Sequence, residues 1–219
     1  MILYYLTWVL LRLHILRIRG REELKGLENI PRTGACIVVV ANHKAASDPW
    51  RVGDAIIRRR FRNPIRWLAK QEYFSIRATY EEYRAEYPTK PQLLAYAAAV
   101  LTVLIVKGFL TIPVDRVKAT ARINRQMVMC VHKVFEEGGI VGLFGEGGIH
   151  DPEKGFCWPE EKWPTAYPGW AKHYGVPILP ARLTKQGVVF GAPIAPADPI
   201  LTLEGSAAAK AVMAIAFAL

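Results

Sequence analysis

The chain has 219 residues, 52% of them hydrophobic and 22% charged, with a formal net charge of +10. That length allows one domain, or one domain with an appendage, and the apolar content excludes intrinsic disorder. The cysteines, Cys36, Cys130 and Cys157, are odd in number and far apart. This argues against a disulfide framework and a zinc ribbon and for a reducing compartment.

The charge is uneven along the chain. Residues 1–70 hold 14 Lys/Arg against 5 Asp/Glu, residues 71–150 hold 9 against 8, and residues 151–219 hold 6 against 6. A basic N-terminal third suits nucleic acid, an anionic membrane surface or a phosphorylated ligand. Met1 to Leu11 is almost wholly apolar or aromatic, and Arg12, His14, Arg17, Arg19 and Arg21 come after it. A signal peptide would carry its charge before the apolar run, and a spanning helix needs about 20 apolar residues. The pattern predicts an amphipathic, membrane-associated helix within residues 1–24, lying in the bilayer interface with Tyr4, Tyr5 and Trp8 at headgroup depth. A helix packed on the domain core is the alternative. The arginines adjoin an apolar run and are not interleaved with exposed aromatics on strands, which speaks against nucleic acid.

Ala35 to Ala41 (ACIVVVA) is a β-branched apolar run after Pro31 and Gly34 and reads as a strand buried on both faces. Pro49 to Arg60 is helix-like, with Asp48 placed as N-cap. Ile65 to Ala69 reads as a strand. Tyr73 to Tyr87 is rich in Tyr, Glu and Arg and is ended by Pro88 and Pro91. Leu93 to Val106 is apolar and too short to span, so it is either a buried helix or a second membrane-facing one. Phe109 to Val114 is strand-like. Lys118 to Glu137 is a long amphipathic helix closed by Gly138-Gly139. Ile140 to Phe144, Val176 to Leu183 and Gly187 to Phe190 read as strands, and Ala166 to Tyr174 as a helix stopped by Gly175. Ser206 to Leu219 is Ala-rich and helical and has no cap, a pattern expected of a chain truncated at its C-terminus. The alternation predicts an α/β fold, a central mostly parallel sheet flanked by helices.

Chemistry-bearing residues follow the strands, where sites lie in open α/β sheets. Asn42 and His43 follow the first, with Asp48 five residues beyond His43. On a continuous helix that spacing would set the pair about 140° apart; a turn between them brings them together. Such a pair serves either as base and orienter or as a structural His beside a capping Asp. Asp115-Arg116 follows another strand, to hold a phosphate or to form an ordinary ion pair. Glu146 lies within the glycines of Gly145–Gly148, which allow close backbone approach to a ligand. Lys70 ends the Ile65–Ala69 strand. The histidines lack metal-ligand spacing.

These residues fall into ordered blocks. Lys25 to Pro31 (KGLENIP) is a lead-in, Asn42 followed by His43–Asp48 is an HxxxxD motif, and Ile112 to Arg116 (IPVDR) is a second block. Phe144 to Gly147 (FGEG) is a third, Val176 to Pro180 (VPILP) a fourth, and Gly191 to Ile194 (GAPI) a downstream element. In these blocks the chain resembles the lysophosphatidate (1-acylglycerol-3-phosphate) acyltransferase family, from about Lys25 to Ile194. It departs in the third block. Gly145 stands where the family usually has Pro, and Gly148, Ile149 and His150 stand where Thr-Arg-Ser is usual. The stretch from Ser75 to Lys107 is longer than usual.

The resemblance implies an acyltransferase domain over residues 25–219, acting on the cytoplasmic face of a membrane. It would transfer an acyl group from acyl-CoA or acyl-carrier protein to the hydroxyl of a lysophospholipid acceptor, with neither a metal nor a cofactor. It implies His43 as general base and Asp48 as its orienter. Lys70, Asp115, Arg116, Glu146 and Gly147 are then substrate-binding. Lysophosphatidate, giving phosphatidic acid, is the first acceptor expected. The altered third block leaves a lyso-aminolipid or a glycolipid as the alternative, and a non-catalytic basic membrane-binding protein is the rival of another class.

Overall fold

A computed structural model describes residues 5–10, 12–13, 22–43, 45, 47–61, 63–115, 121–146, 165–203 and 206–219. The chain forms two compact units, one of residues 1–11 and 66–132 and a larger one of 12–65 and 133–219. Strands and helices alternate as the sequence predicts. The strands are β1 (Glu23–Lys25), β2 (Cys36–Val40), β3 (Ile65–Lys70), β4 (Ile112–Val114), β5 (Ile140–Phe144), β6 (Ile178–Leu183) and β7 (Gly187–Phe190). The helices are α1 (helical over residues 5–10), α2 (Asp48–Arg59), α3 (Ile76–Glu86), α4 (Gln92–Gly108), α5 (Ala121–Glu136), α6 (Ala166–Tyr174) and α7 (Ser206–Ala218).

In the larger unit the strand order is β1-β7-β6-β2-β5. β2 runs parallel to both β5 and β6, β1 runs parallel to β7, and only β6 and β7 are antiparallel. Every residue of β2 and β5 is buried. The α6 and α7 helices pack on β2. Strands covered in this way must be apolar along their whole length, which accounts for the unbroken Val/Ile runs. In the smaller unit β3 and β4 pair in parallel, Lys70 opposite Val114. α3 packs on α4 there. The α/β expectation, a mostly parallel sheet with flanking helices, is met. No helix among the described residues is long and apolar enough to cross a membrane.

Several boundaries differ from the sequence reading. The strand expected from Phe109 begins at Ile112, because α4 continues to Gly108. Phe109 caps that helix, and Leu110 then turns with φ of 53°. The strand expected from Val176 begins at Ile178, since the Val176 N–H still bonds the Ala171 carbonyl of α6. β1 has no apolar run to announce it and is a short edge strand.

Cys36 opens β2 and is fully buried. Burial pushes its thiol from the ordinary value near 9 up to about 12, against the pull of the nearby Arg60 guanidinium. Arg60 is itself buried beyond the end of α2 and donates to the carbonyls of Pro31 and Gly138. Burial lowers its pKa.

Candidate active site

The parallel register sets Val40 opposite Phe144, and Val40 also lies beside Ala181 of β6. The residues leaving β2 and β5 therefore emerge at one edge of the sheet. Asn42 fixes the first of these exits. Its amide donates to the Leu183 carbonyl at 2.9 Å, and its carbonyl oxygen accepts from the Leu183 N–H at 2.9 Å. The side chain thus pairs with β6 as a peptide unit would.

The chain then turns between His43 and Asp48. The Asp48 N–H donates to the Ala45 carbonyl at 3.0 Å, and the Ala45 N–H donates to Asp48 Oδ2 at 2.7 Å. The reciprocal pair closes the turn and draws His43 and Asp48 together, with Nδ1 to Oδ2 at 3.2 Å. Asp48 is not the N-cap that the sequence suggests. Ser47 holds that position, and Asp48 is the first helical residue of α2. Its carboxylate is committed backwards to the turn and the imidazole.

An ionised Asp48 can only accept, so Nδ1 carries the hydrogen, and Nε2 of the neutral ring is left as the basic nitrogen. The imidazole side chain is 14% exposed and the carboxylate 1%. The ring also stacks on Phe144, the last residue of β5, with centroids 4.0 Å apart and planes at 17°. A hydrogen bond in the ring plane and a stacked face together define its orientation.

A buried carboxylate needs compensation. Arg51, one turn along α2, supplies part of it. Its Nη1 lies 3.4 Å from Asp48 Oδ1, its Nε 2.5 Å from Glu22 Oε1, and its Nη2 donates to the carbonyls of Thr184 at 3.1 Å and Gly187 at 3.3 Å. Arg51 is 4% exposed. Sequence reasoning missed both Arg51 and Glu22. The i, i+3 spacing from Asp48 is a weak signal, and the other partners of Arg51 are distant in sequence. Phe144 stands out in the sequence only as part of a motif.

Glu146 is buried in the turn after β5, at the same edge as His43. Gly145, just before it, stands where neither a larger side chain nor a proline fits. A Cβ there would stand 1.9 Å from Met213 Sδ, and the Gly145 N–H donates to the Val40 carbonyl at 2.9 Å. Proline could satisfy neither condition. Lys70 and Asp115 belong to the smaller unit, at the ends of the paired strands β3 and β4. Lys70 Nζ is engaged with Glu82 Oε1 of α3 at 2.8 Å. Burial lowers its pKa, but the Glu82 bond and nearby Tyr73 and glutamates outweigh that and raise it. Asp115 directly follows β4 and is half-buried. Arg116 and Gly147 lie outside the described residues, as do Gly148, Ile149 and His150. Among the described residues no group of three or more His, Cys, Asp or Glu could hold a metal ion.

Comparison with protein-family models, with curated proteins and with solved structures finds no match to this chain. The geometry and chemistry of the site therefore carry the functional reading.

Proposed function

We propose that the chain is an acyltransferase. It moves a fatty acyl group from acyl-CoA or acyl-carrier protein to the hydroxyl of a lysophospholipid, with 1-acylglycerol-3-phosphate as acceptor and phosphatidic acid as product. The observation that carries this reading is the His43–Asp48 pair at 3.2 Å, held at the carboxyl edge of a parallel sheet with one imidazole nitrogen left basic. The ordered motif blocks supply the substrate class.

In this mechanism Nε2 of His43 takes the proton of the acceptor hydroxyl, and the oxygen attacks the thioester carbonyl. Asp48 stabilises the imidazolium that forms. Collapse of the tetrahedral intermediate breaks the C–S bond, and the imidazolium returns its proton to the departing thiolate. The acceptor oxygen is the nucleophile, so no covalent acyl-enzyme is formed. Arg51 acts as a positioning residue through Asp48. Arg116, Asp115 and Lys70 serve the acceptor headgroup in this reading, and Glu146 and Gly147 shape its pocket. The N-terminal segment, apolar and then arginine-rich, holds the enzyme on the cytoplasmic leaflet, where the lysolipid acceptor is reached laterally.

The test is lipid mass spectrometry after incubation with acyl-CoA and mixed lysolipids, comparing wild type with His43→Ala. Loss of the proposed base costs about 10²–10⁴-fold in rate. Product formation by His43→Ala at the wild-type rate, or none by wild type with any donor and acceptor, overturns the reading. A lyso-aminolipid or glycolipid acceptor is favoured by one observation, Gly148-Ile149-His150 in place of an arginine-bearing third block. Turnover of those lipids without turnover of lysophosphatidate would select it.

A further inference from the structure

The α4 helix is packed inside out for a helix in water. It packs on α3, and the residues it buries are the small Ala95 and Ala99 with Val103, while Leu93, Leu94, Leu101 and Leu104 are 78%, 59%, 58% and 60% exposed. Exposed large apolar residues are concentrated on this unit. Of the 17 among the described residues, all but Leu13, Phe61, Leu203 and Ile215 belong to the smaller unit. Isolated exposed leucines need no explanation; a contiguous face does.

The charges that bracket α4 in sequence have one sign. Lys90 precedes α4, Lys107 lies in its last turn, and no acidic residue occurs between Glu86 and Asp115. The whole unit holds ten Lys/Arg against five Asp/Glu. Tyr96 stands half-exposed beside the leucines. A second apolar stripe adjoins the far end of α4. Leu6, Val9 and Leu10 of α1 are exposed, and a Cβ on Gly108 would lie 2.7 Å from Thr7 Oγ1.

We infer that the outer face of α4 docks on an anionic phospholipid bilayer, in the plane of the interface. A bilayer supplies both things the face requires, an apolar interior for the leucines and negative headgroups for the bracketing lysines. A second copy fits worse, because symmetric pairing of this face would oppose Lys90 and Lys107 to further cations with no carboxylate between. At 17 residues α4 lies on the membrane and does not cross it. The leucine face of α4 is a separate element from the N-terminal segment invoked above, to which α1 belongs, and it is read by lipid binding alone, whatever reaction the chain performs.

The test is flotation of the full chain with vesicles of phosphatidylcholine and phosphatidylglycerol, and with phosphatidylcholine alone. Wild type floats with the anionic vesicles. Leu101→Glu/Leu104→Glu loses at least about tenfold in partitioning with unchanged circular dichroism. Lys90→Glu/Lys107→Glu weakens the preference for anionic over neutral vesicles, and an unchanged preference counts against the lysines as bracketing contacts. Should the glutamate pair fail to fold, Leu101→Ser/Leu104→Ser is read in the same assay. Wild-type partitioning by the folded leucine variants overturns the inference, as does failure of wild type to float. So does a lipid-free dimer that the leucine substitutions dissociate, which would make a second copy the occupant.

Discussion

Arg51 Nη1 stands 3.4 Å from Asp48 Oδ1, while the other oxygen of the same carboxylate faces His43. One buried carboxylate thus joins the imidazole to a guanidinium that is anchored on Glu22 and on the carbonyls of Thr184 and Gly187. Arg51→Met leaves Asp48 and Glu22 without their cation and destabilises the fold by about 3–5 kcal/mol, as expected for breaking a buried pair. Arg51→Met/Glu22→Leu recovers part of that loss. On the proposed mechanism, kcat of the variants that fold drops by up to about 100-fold as His43 loses its alignment, and KM changes little. Equal stability of the single and double variants, or an unchanged kcat, would count against this role.

Asp48→Asn puts an amide where Oδ2 accepts from both the Ala45 N–H and His43, so the orientation that turns the amide nitrogen to His43 gives up the Ala45 bond. The amide can donate to His43 Nδ1 and so place the ring hydrogen on Nε2, where it blocks the base. We expect kcat to drop by up to about 10⁴-fold, the size of effect a wrong tautomer produces in a Ser-His-Asp triad. Steady-state kinetics on purified protein, with ¹⁵N NMR of the imidazole, check both halves of the argument.

Gly145 and Met213 share one space, since a Cβ added to Gly145 would lie only 1.9 Å from Met213 Sδ. Gly145→Ala is therefore expected to cost about 1–3 kcal/mol by overpacking. Met213 is fully buried, so Met213→Ala alone costs about 2–5 kcal/mol by opening a cavity. The double variant should fall short of the sum by more than about 1 kcal/mol, because each change supplies what the other lacks. Additive losses in urea denaturation would show that the two sites are uncoupled. Gly145→Pro costs more than Gly145→Ala because it also deletes the N–H bonded to Val40.

Cys36 gives a pH dependence of known sign. Its folded-state pKa is raised from near 9 to about 12, so the unfolded chain releases the proton first as pH rises. The stabilisation is full below about pH 9 and is lost progressively up to about pH 12. Between about pH 8 and about pH 10.5 wild type should lose about 2 kcal/mol more than Cys36→Ala. Parallel declines in the two proteins would contradict this.

The HxxxxD spacing made His43 and Asp48 legible, and the apolar run made β2 legible, because both are local patterns. The role of Asp48 was not legible in full. Whether a carboxylate caps the helix ahead or the turn behind depends on where helical geometry begins, and one residue reverses it. Arg51 lies near the basic run Arg58–Arg60 and resembles a surface residue in one dimension. Its partners Thr184 and Gly187 are 133 and 136 residues away. Leu93–Val106 is ambiguous in one dimension between core and membrane, since an all-apolar helix gives no periodic sign of which face is covered. Only the burial of Ala95, Ala99 and Val103 distinguishes the faces.

Asn42 draws a line between the scaffold and the loop that carries His43. Its two bonds to Leu183 extend the ladder of β2 one step beyond the strand itself. The Leu183 amide is consequently protected by a side chain and not by backbone alone. Its hydrogen exchange should report on opening of the central sheet, while the residues after Asn42 exchange through smaller, local openings. The imidazole of His43 begins one residue past that line. Its position is set from the buried central sheet, although it stands on a loop.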